Sequence, residues 1–182
     1  MHPRIAELLE HIDTQSRVLQ QAVESVPAAR RDDSPGPDRW SVAGVLEHLA
    51  IIEARVSGLL RSRMAAARAS GVGEETETSP ILDTSKLAVF LDRNRKIQTG
   101  DAAKPTGIRA DAAWTALEAA RNGFRDAVVE ADGFALGGVM QPHPAFGPIN
   151  LYEWIAFTAS HEARHALQIR EIGEQLATSA AS

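Results

Sequence analysis

The sequence contains no cysteine. Disulfide bonds, thiolate metal sites and a cysteine nucleophile are therefore excluded within the chain, and any metal must be held by histidine and carboxylate side chains. Long apolar runs are missing too, because none approaches the roughly 18 residues that a membrane span needs. An excess of positive charge is also absent, since the net charge is −5 and the pI is about 5.7. We therefore expect a cytoplasmic protein that binds neither nucleic acid nor a membrane.

What the sequence does have is helical patterning. Hydrophobic residues make up 44% of the 182 residues, which is enough for one continuous core. Apolar residues recur every three to four positions in four segments, at about residues 4–26, 41–69, 110–131 and 151–172. No run alternates apolar and polar residues convincingly, so we expect no sheet. The pattern predicts an all-α four-helix bundle that occupies residues 1–176 as a single domain, followed by a frayed tail at 177–182.

Signals for helix ends agree with these boundaries. Ser41 can cap the second predicted helix, and Asn150 with Glu153 has the spacing of a capping box for the fourth. Gly173 offers a stop for the fourth helix. About forty residues separate the second and third helices, and a short helix is expected near Thr84 to Lys96. This length permits one long crossover connection in place of a tight hairpin.

Two histidines one helical turn apart raise the first chemical question. The stretch His161-Glu162-Ala163-Arg164-His165 contains the zinc-peptidase signature His-Glu-x-x-His, in which both histidines bind metal and the glutamate is the general base. Residues four apart on a helix differ by only about 40° in direction, so both rings can reach one metal ion. Both histidines are in line with the apolar positions of the fourth helix, the face expected to point into the bundle.

A third histidine, His48, lies on or beside the inward stripe of the second helix. If this helix packs against the fourth, His48 can face His161 and His165 and complete a three-histidine site, with the other coordination positions open to water or substrate. The alternative is a group of core histidines whose ring nitrogens are satisfied by carbonyls or hydroxyls. His2 and His11 are expected to be incidental, the first at the chain end and the second at the solvent border of the first helix.

The order and separation of these landmarks resemble a known family, the DinB-like (YfiT-like) superfamily. Three stretches carry the resemblance: WSVAGVLEHL at 40–49, HPAFGPINLYEW at 143–154 and HEARHALQI at 161–169. The resemblance implies a four-helix bundle that binds a divalent metal through one histidine of helix two and two of helix four, here His48, His161 and His165. It also implies a homodimer. Members with known activity include transferases and isomerases that use low-molecular-weight thiols such as bacillithiol or mycothiol, and others are described as metal-dependent hydrolases.

A zinc peptidase is the remotest interpretation of the site. An extended metzincin motif would have glycine and histidine where this chain has Gln168 and Glu171. Peptidases also need a cleft, usually with an edge strand that holds an extended substrate, and no strand is expected here. Glu162 is still a candidate general base, because it is rotated by about 100° from His161 and can touch the rim of the site.

Two further side chains are candidates for roles around the metal. His143, in the loop before the fourth helix, can overhang the site, and the alternative is a plain turn residue. Gln168, three residues after His165, can hydrogen-bond a ligand or substrate at the pocket edge. Arg164 is expected at the surface or in a salt bridge between the subunits of a dimer.

Two classes of function follow from such a site. The first is an enzyme in which a divalent metal lowers the pKa of a bound nucleophile, either a water for hydrolysis or the thiol of a small cosubstrate for S-transfer to a small-molecule substrate. The absence of cysteine fits a thiol that comes from outside the chain. The second class is a metal-binding or dimerising stress protein without turnover. Three imidazoles suit Zn, Ni, Cu and Fe alike, and we expect Zn or Ni.

Overall fold

Four long helices and one short helix form the computed structural model, which describes residues 1–91, 100–144 and 146–179. The helices are α1 (Pro3–Glu24), α2 (Val42–Ala69), α3 (Thr84–Leu91), α4 (Ala110–Glu130) and α5 (Leu151–Ser179). The predicted all-α bundle with one long connection is therefore confirmed, and α5 is the helix predicted as the fourth. The short helix expected near Thr84 to Lys96 is seen as α3, and its last five expected positions lie outside the described residues. No helix in the described part of the chain is both long and apolar enough to cross a membrane.

The helices pack in pairs across the bundle. α2 packs mainly against α4, α1 packs against α5, and α2 also contacts α5. One cluster of buried side chains contains Phe124 and Ile155, and a second cluster contains Leu117 and Ile169. The contact between α2 and α5 meets the condition under which the sequence predicts that His48 approaches the paired histidines.

The two predicted helix caps are confirmed. Ser41 Oγ accepts a hydrogen bond from the backbone N–H of Gly44 at 3.1 Å, at the start of α2. At the start of α5, Asn150 Oδ1 accepts from the N–H of Glu153 at 2.9 Å. Glu153 Oε2 in turn accepts from the N–H of Asn150 at 3.0 Å, which completes a reciprocal capping box. These caps fix where α2 and α5 begin, and so they fix the position of the histidines along each helix.

The stop predicted at Gly173 is wrong, because α5 continues to Ser179. The glycine has a different purpose. A Cβ atom at this position would lie 3.0 Å from Cγ2 of Val26, which is tighter than ordinary contact, so glycine allows α5 to lie close to the segment that follows α1. Residues 177–179, predicted as a frayed tail, are helical, and residues 180–182 lie outside the described residues.

A small hairpin contradicts the expectation that the chain has no strand. β1 (Met140–His143) pairs antiparallel with β2 (Gly147–Asn150) directly before α5. Pro142 stands opposite Pro148 in the register, and exposed and buried positions do not alternate along β2. Two short strands that contain proline lack the period-two pattern by which a strand is recognised in a sequence.

A charged network ties the loop after α2 to two helices. Glu75 accepts a hydrogen bond from Arg4 Nη1 of α1 at 2.8 Å and another from the hydroxyl of Tyr152 of α5 at 2.6 Å. Burial alone would raise the pKa of Glu75, but hydrogen bonds from Tyr152, the N–H of Glu77 and Arg4 lower that pKa to about 2. Burial and the Glu75 carboxylate raise the pKa of Tyr152. Glu75 is therefore a charged acceptor on which the loop depends.

Glu75→Gln is expected to lower the free energy of unfolding by about 1–3 kcal/mol near neutral pH, because Arg4 and Tyr152 lose their charged acceptor. The pKa of Glu75 is lower in the folded state, about 2, than its ordinary value of 4.5. Its contribution is therefore fully present above that ordinary value and is lost as the pH falls toward the folded-state pKa. Urea unfolding at a series of pH values should show the difference between wild type and variant shrinking on acidification. The exposed Glu77→Gln serves as the control, and a difference independent of pH would contradict the network.

Candidate metal centre

Three histidines from two helices meet inside the bundle. One ring nitrogen each of His48 on α2 and of His161 and His165 on α5 lie within 4.8 Å of one another. The Nε2 atoms of His161 and His165 are 3.0 Å apart. Two nitrogens on one tetrahedral zinc ion are separated by about 3.3 Å, so this spacing is close to that of two ligands. The centroid of the His48 ring is 5.1 Å from that of His161 and 5.0 Å from that of His165. The three rings therefore converge on one point.

Hydrogen bonds determine which nitrogen of two of these rings faces that point. His48 Nδ1 lies 2.8 Å from the carbonyl oxygen of Ala103. A carbonyl can only accept, so Nδ1 carries the proton and Nε2 of the neutral ring keeps its lone pair. His165 Nδ1 lies 2.8 Å from Gln168 Oε1, and the same reasoning leaves the Nε2 lone pair of His165 available. Metal-binding histidines usually donate their second N–H in this way. The alternative, a group of core histidines whose ring nitrogens are hydrogen-bonded within the protein, explains the partners of the Nδ1 atoms. It does not explain why the other ring nitrogens converge.

Burial favours the neutral form of these rings. His48 and His165 are buried, and His161 is half-buried. Desolvation lowers the pKa of His161 well below its ordinary value, and the neighbouring His165 and His48 lower it further. Desolvation also lowers the pKa of His48. Neutral imidazole is the form that binds metal, so these rings are in the competent state near neutral pH. Of the three residues His161 is the most exposed as a whole, although its ring is strongly desolvated.

Comparison with known proteins agrees with this arrangement. The sequence pattern of the DinB superfamily matches residues 11–169. The chain belongs to the DinB superfamily. It is similar to the uncharacterized protein YuaE of Bacillus subtilis (strain 168), with 28% identity over 147 residues, or 80% of this chain and 84% of that protein. No solved structure matches the chain. The family resemblance noted in the sequence is thus confirmed.

Gln168 and His143 occupy different positions around the DinB-superfamily cluster. Gln168 was predicted to hydrogen-bond a ligand or substrate at the pocket edge. In the structure its Oε1 atom bonds to Nδ1 of His165 and so holds the ring of this candidate metal ligand. His143, at the end of β1, is half-buried, and burial lowers the pKa of its ring. The pKa of His161 is lowered most by desolvation, and then by His165, His48 and Arg164. A charged His143 ring lowers it further, by a smaller amount. The catalytic roles of Gln168 and His143 remain predictions.

His143 belongs to a wall of aromatic side chains beside the cluster. The centroid of its ring is 4.6 Å from that of Trp154, 4.9 Å from that of Phe146 and 6.1 Å from that of Phe157. Phe146 and Phe157 stack with their ring centroids 4.7 Å apart. Phe157 lies one turn before His161 on α5, so the wall flanks the histidine cluster next to His161. The hairpin that the sequence did not predict carries half of this wall.

Glu162 points into a different part of the bundle. Its Oε1 atom lies 2.7 Å from both Nε and Nη2 of Arg121 on α4, and its side chain is 4% exposed. Glu53 of α2 lies beside it, where burial and the neighbouring Glu162 carboxylate raise the pKa of Glu53 well above its ordinary value. Among the described residues, only the three histidines form the cluster, and Glu162 is not brought into it. A role for Glu162 as general base therefore remains a prediction.

The pair of buried carboxyl groups was not anticipated from the sequence. Glu53 follows Leu49 by four residues and so lies on the inward face of α2. This spacing is the feature of the sequence from which its burial could have been predicted. A glutamate at such a position needs a counter-ion or a proton. Arg121 is the counter-ion of Glu162, and the raised pKa of Glu53 favours its protonated form. Arg164 was expected at the surface or in a salt bridge between the subunits of a dimer. It is buried within the chain, with only 7% exposure, so the surface position is wrong.

His2 and His11, which were expected to be incidental, do not belong to the three-histidine cluster found among the described residues. His2 caps α1, because its Nδ1 accepts a hydrogen bond from the N–H of Arg4 at 3.3 Å. His11 joins α1 to α5, with its Nε2 2.9 Å from Ser160 Oγ. Both side chains therefore have structural contacts that composition and spacing did not reveal.

Arg121→Met is expected to lower the free energy of unfolding by about 3 kcal/mol, because it leaves the Glu162 carboxylate buried without its counter-ion. Glu53→Gln should change this free energy by less than about 1 kcal/mol, because an amide replaces a protonated carboxyl of the same shape. Equilibrium urea unfolding near neutral pH measures both. A loss from Glu53→Gln as large as that from Arg121→Met would show that Glu53 is charged in the folded protein.

Proposed function

We propose that this DinB-superfamily chain is a metal-dependent enzyme that activates the thiol of a small cosubstrate, or a water, for attack on a small-molecule substrate. His48, His161 and His165 hold one divalent cation, with Zn or Ni favoured. The observation that supports this proposal is the convergence of three ring nitrogens within 4.8 Å. The Nδ1 protons of His48 and His165 lie on fixed acceptors, so the remaining lone pairs face the same point.

The residues of the chain arrange this centre for chemistry. The Ala103 carbonyl and Gln168 hold two of the rings in one tautomer. The aromatic wall around His143 and Phe157 keeps water away from one side and offers an apolar surface to a substrate. A divalent cation, when bound, supplies Lewis-acid chemistry that lowers the pKa of a thiol or water toward neutrality. The thiol comes from a separate molecule, because the chain has no cysteine.

The position of Glu162 favours the thiol over water. In zinc peptidases with this motif a glutamate is the general base for hydrolysis, and no carboxylate joins the cluster within the described ranges of the chain. A thiol needs less help, because coordination to a metal is enough to deprotonate it. The same observation weighs against a zinc peptidase, in which Glu162 would have to be the base and not the partner of Arg121.

A second candidate function is metal binding without turnover. The observation that favours it is that no carboxylate joins the three histidines in the part of the chain that the structure describes, while Gln168 is engaged with His165. A homodimer in the cytoplasm that sequesters or senses a metal would need nothing further. Turnover therefore separates the two proposals, and metal binding is common to both.

His161→Ala is expected to remove the stoichiometric divalent metal from protein that is purified without a histidine tag, because two ligands do not retain the ion. Elemental analysis by mass spectrometry provides the measurement. His143→Ala is the matched control, since His143 is a neighbouring half-buried histidine outside the cluster. Full metal content in His161→Ala, or an equal loss in His143→Ala, would contradict the assignment of the three ligands.

Protein loaded with Zn or Ni is expected to accelerate the reaction of a low-molecular-weight thiol with a fluorogenic bimane electrophile. His48→Ala should reduce the rate by about 100-fold or more, since the metal and its Lewis-acid contribution are lost. The rise in fluorescence reports formation of the thioether. Stoichiometric metal binding with no acceleration by any thiol, and no hydrolysis of ester or amide substrates, would favour the binding protein over the enzyme.

A further inference from the structure

Glu47, the residue before His48, holds the loop that touches the His48 ring. Its buried carboxylate accepts four hydrogen bonds from three consecutive residues. Oε1 accepts from the N–H and the hydroxyl of Thr106 at 2.8 and 2.6 Å. Oε2 accepts from the N–H groups of Gly107 and Ile108 at 3.0 and 3.3 Å. Hydrogen bonds to a charged acceptor are about twice as strong as neutral ones, so Glu47 is a firm anchor for this loop.

The anchored loop also supplies the acceptor for His48. The Ala103 carbonyl, which lies 2.8 Å from His48 Nδ1, precedes Thr106 by three residues. Between them, Pro105 packs on α2 at Gly44, where a Cβ atom would lie 3.4 Å from Pro105 Cγ. The loop of residues 103–108 is thus attached to one helical turn of α2, and one of its attachment points is the ring of a candidate metal ligand.

We propose that Glu47 is a positioning residue for His48: by anchoring the loop of residues 103–108 it holds the Ala103 carbonyl against Nδ1 and so keeps Nε2 directed at the centre of the cluster. This inference rests on the proposed role of the three histidines as metal ligands. Adjacent residues on a helix point about 100° apart, so Glu47 does not join the cluster itself. Its influence on His48 passes through the loop.

Glu7 of α1 offers a matched control with the same chemistry. Its carboxylate accepts hydrogen bonds from the N–H groups of Ile81 and Leu82 at 3.0 and 3.2 Å, so it anchors another part of the same crossover. Ile81 and Leu82 pack on the buried cluster that contains Phe124. Leu49, the residue after His48, belongs to the other buried cluster. Glu7→Gln therefore releases a loop without touching the surroundings of His48.

The test compares Glu47→Gln, Thr106→Val, Glu7→Gln and His48→Ala in the full chain. Thr106→Val removes one of the four hydrogen bonds and is the milder variant if Glu47→Gln folds poorly. Affinity for Zn²⁺ is measured by competition with a chromogenic chelator. The tautomer of the His48 ring is measured by nitrogen NMR of the metal-free protein at one fixed pH. Urea unfolding reports the stability of each variant.

Glu47→Gln is expected to weaken Zn²⁺ binding by about 10- to 100-fold, the usual effect of losing an outer partner of a metal ligand. It should also convert His48 from a single tautomer, with the proton on Nδ1, to a mixture. Thr106→Val should change both properties in the same direction and to a smaller extent. Glu7→Gln should lower stability and leave the Zn²⁺ affinity and the His48 tautomer unchanged. His48→Ala gives the Zn²⁺ affinity of a site that has lost this ligand completely.

An unchanged His48 tautomer in Glu47→Gln would overturn the inference, as would an unchanged Zn²⁺ affinity where the wild type binds the ion. An equal loss of affinity in Glu7→Gln would show that affinity follows stability, which also rejects a positioning role. Failure of the proposed function has a different signature, because the wild type itself would then bind no Zn²⁺. In that case the tautomer comparison alone decides whether Glu47 positions His48.

Discussion

The contact between α2 and α5 is the constraint on which the rest of the structure depends. It places one imidazole from α2 against two from α5, in an interior where every polar nitrogen needs a partner. The Nδ1 atoms of His48 and His165 have a carbonyl and an amide oxygen as acceptors, so each ring keeps an Nε2 lone pair for the centre of the cluster. A single proton on His161 Nε2 can be donated to only one of two facing lone pairs. A cation at their centre satisfies all three rings, which is why this donor set suits a metal better than a hydrogen-bonded core.

Three consecutive residues of α5 reach three different helices. Ser160 bonds to His11 of α1, His161 joins the cluster with α2, and Glu162 pairs with Arg121 of α4. The rotation of about 100° per residue separates these polar groups although they are adjacent in sequence. The carboxylate of Glu162 is thereby kept away from the histidines that flank it in the motif. The His-Glu-x-x-His pattern that forms a peptidase site in other folds gives here a histidine cluster and a separate ion pair, because the neighbours of the helix differ.

The parts that could be predicted from the sequence are those with a local signal. Helices were recognised from periodic apolar residues, and the cluster from His161 and His165 one turn apart with His48 on the inward stripe. The acceptor for His48 could not be predicted, because it is the backbone carbonyl of Ala103, a group that every residue has, in a loop distant along the chain. Gly173 misled for a related reason, since a glycine that ends a helix and a glycine that allows close packing look the same in sequence.

The long crossover has a chemical consequence for His48. Arg61 of α2 bonds to Glu130 at the end of α4, while Glu47 near the start of α2 bonds to the loop that leads into α4, so α2 and α4 run parallel. The crossover must therefore cover the length of α2, whose 28 residues span about 42 Å, before α4 begins. A tight hairpin would start α4 beside the end of α2 instead, and no loop would then lie against Glu47 and His48. The length of the connection is thus what brings an acceptor to the Nδ1 atom, and the orientation of a candidate metal ligand follows from the topology of the bundle.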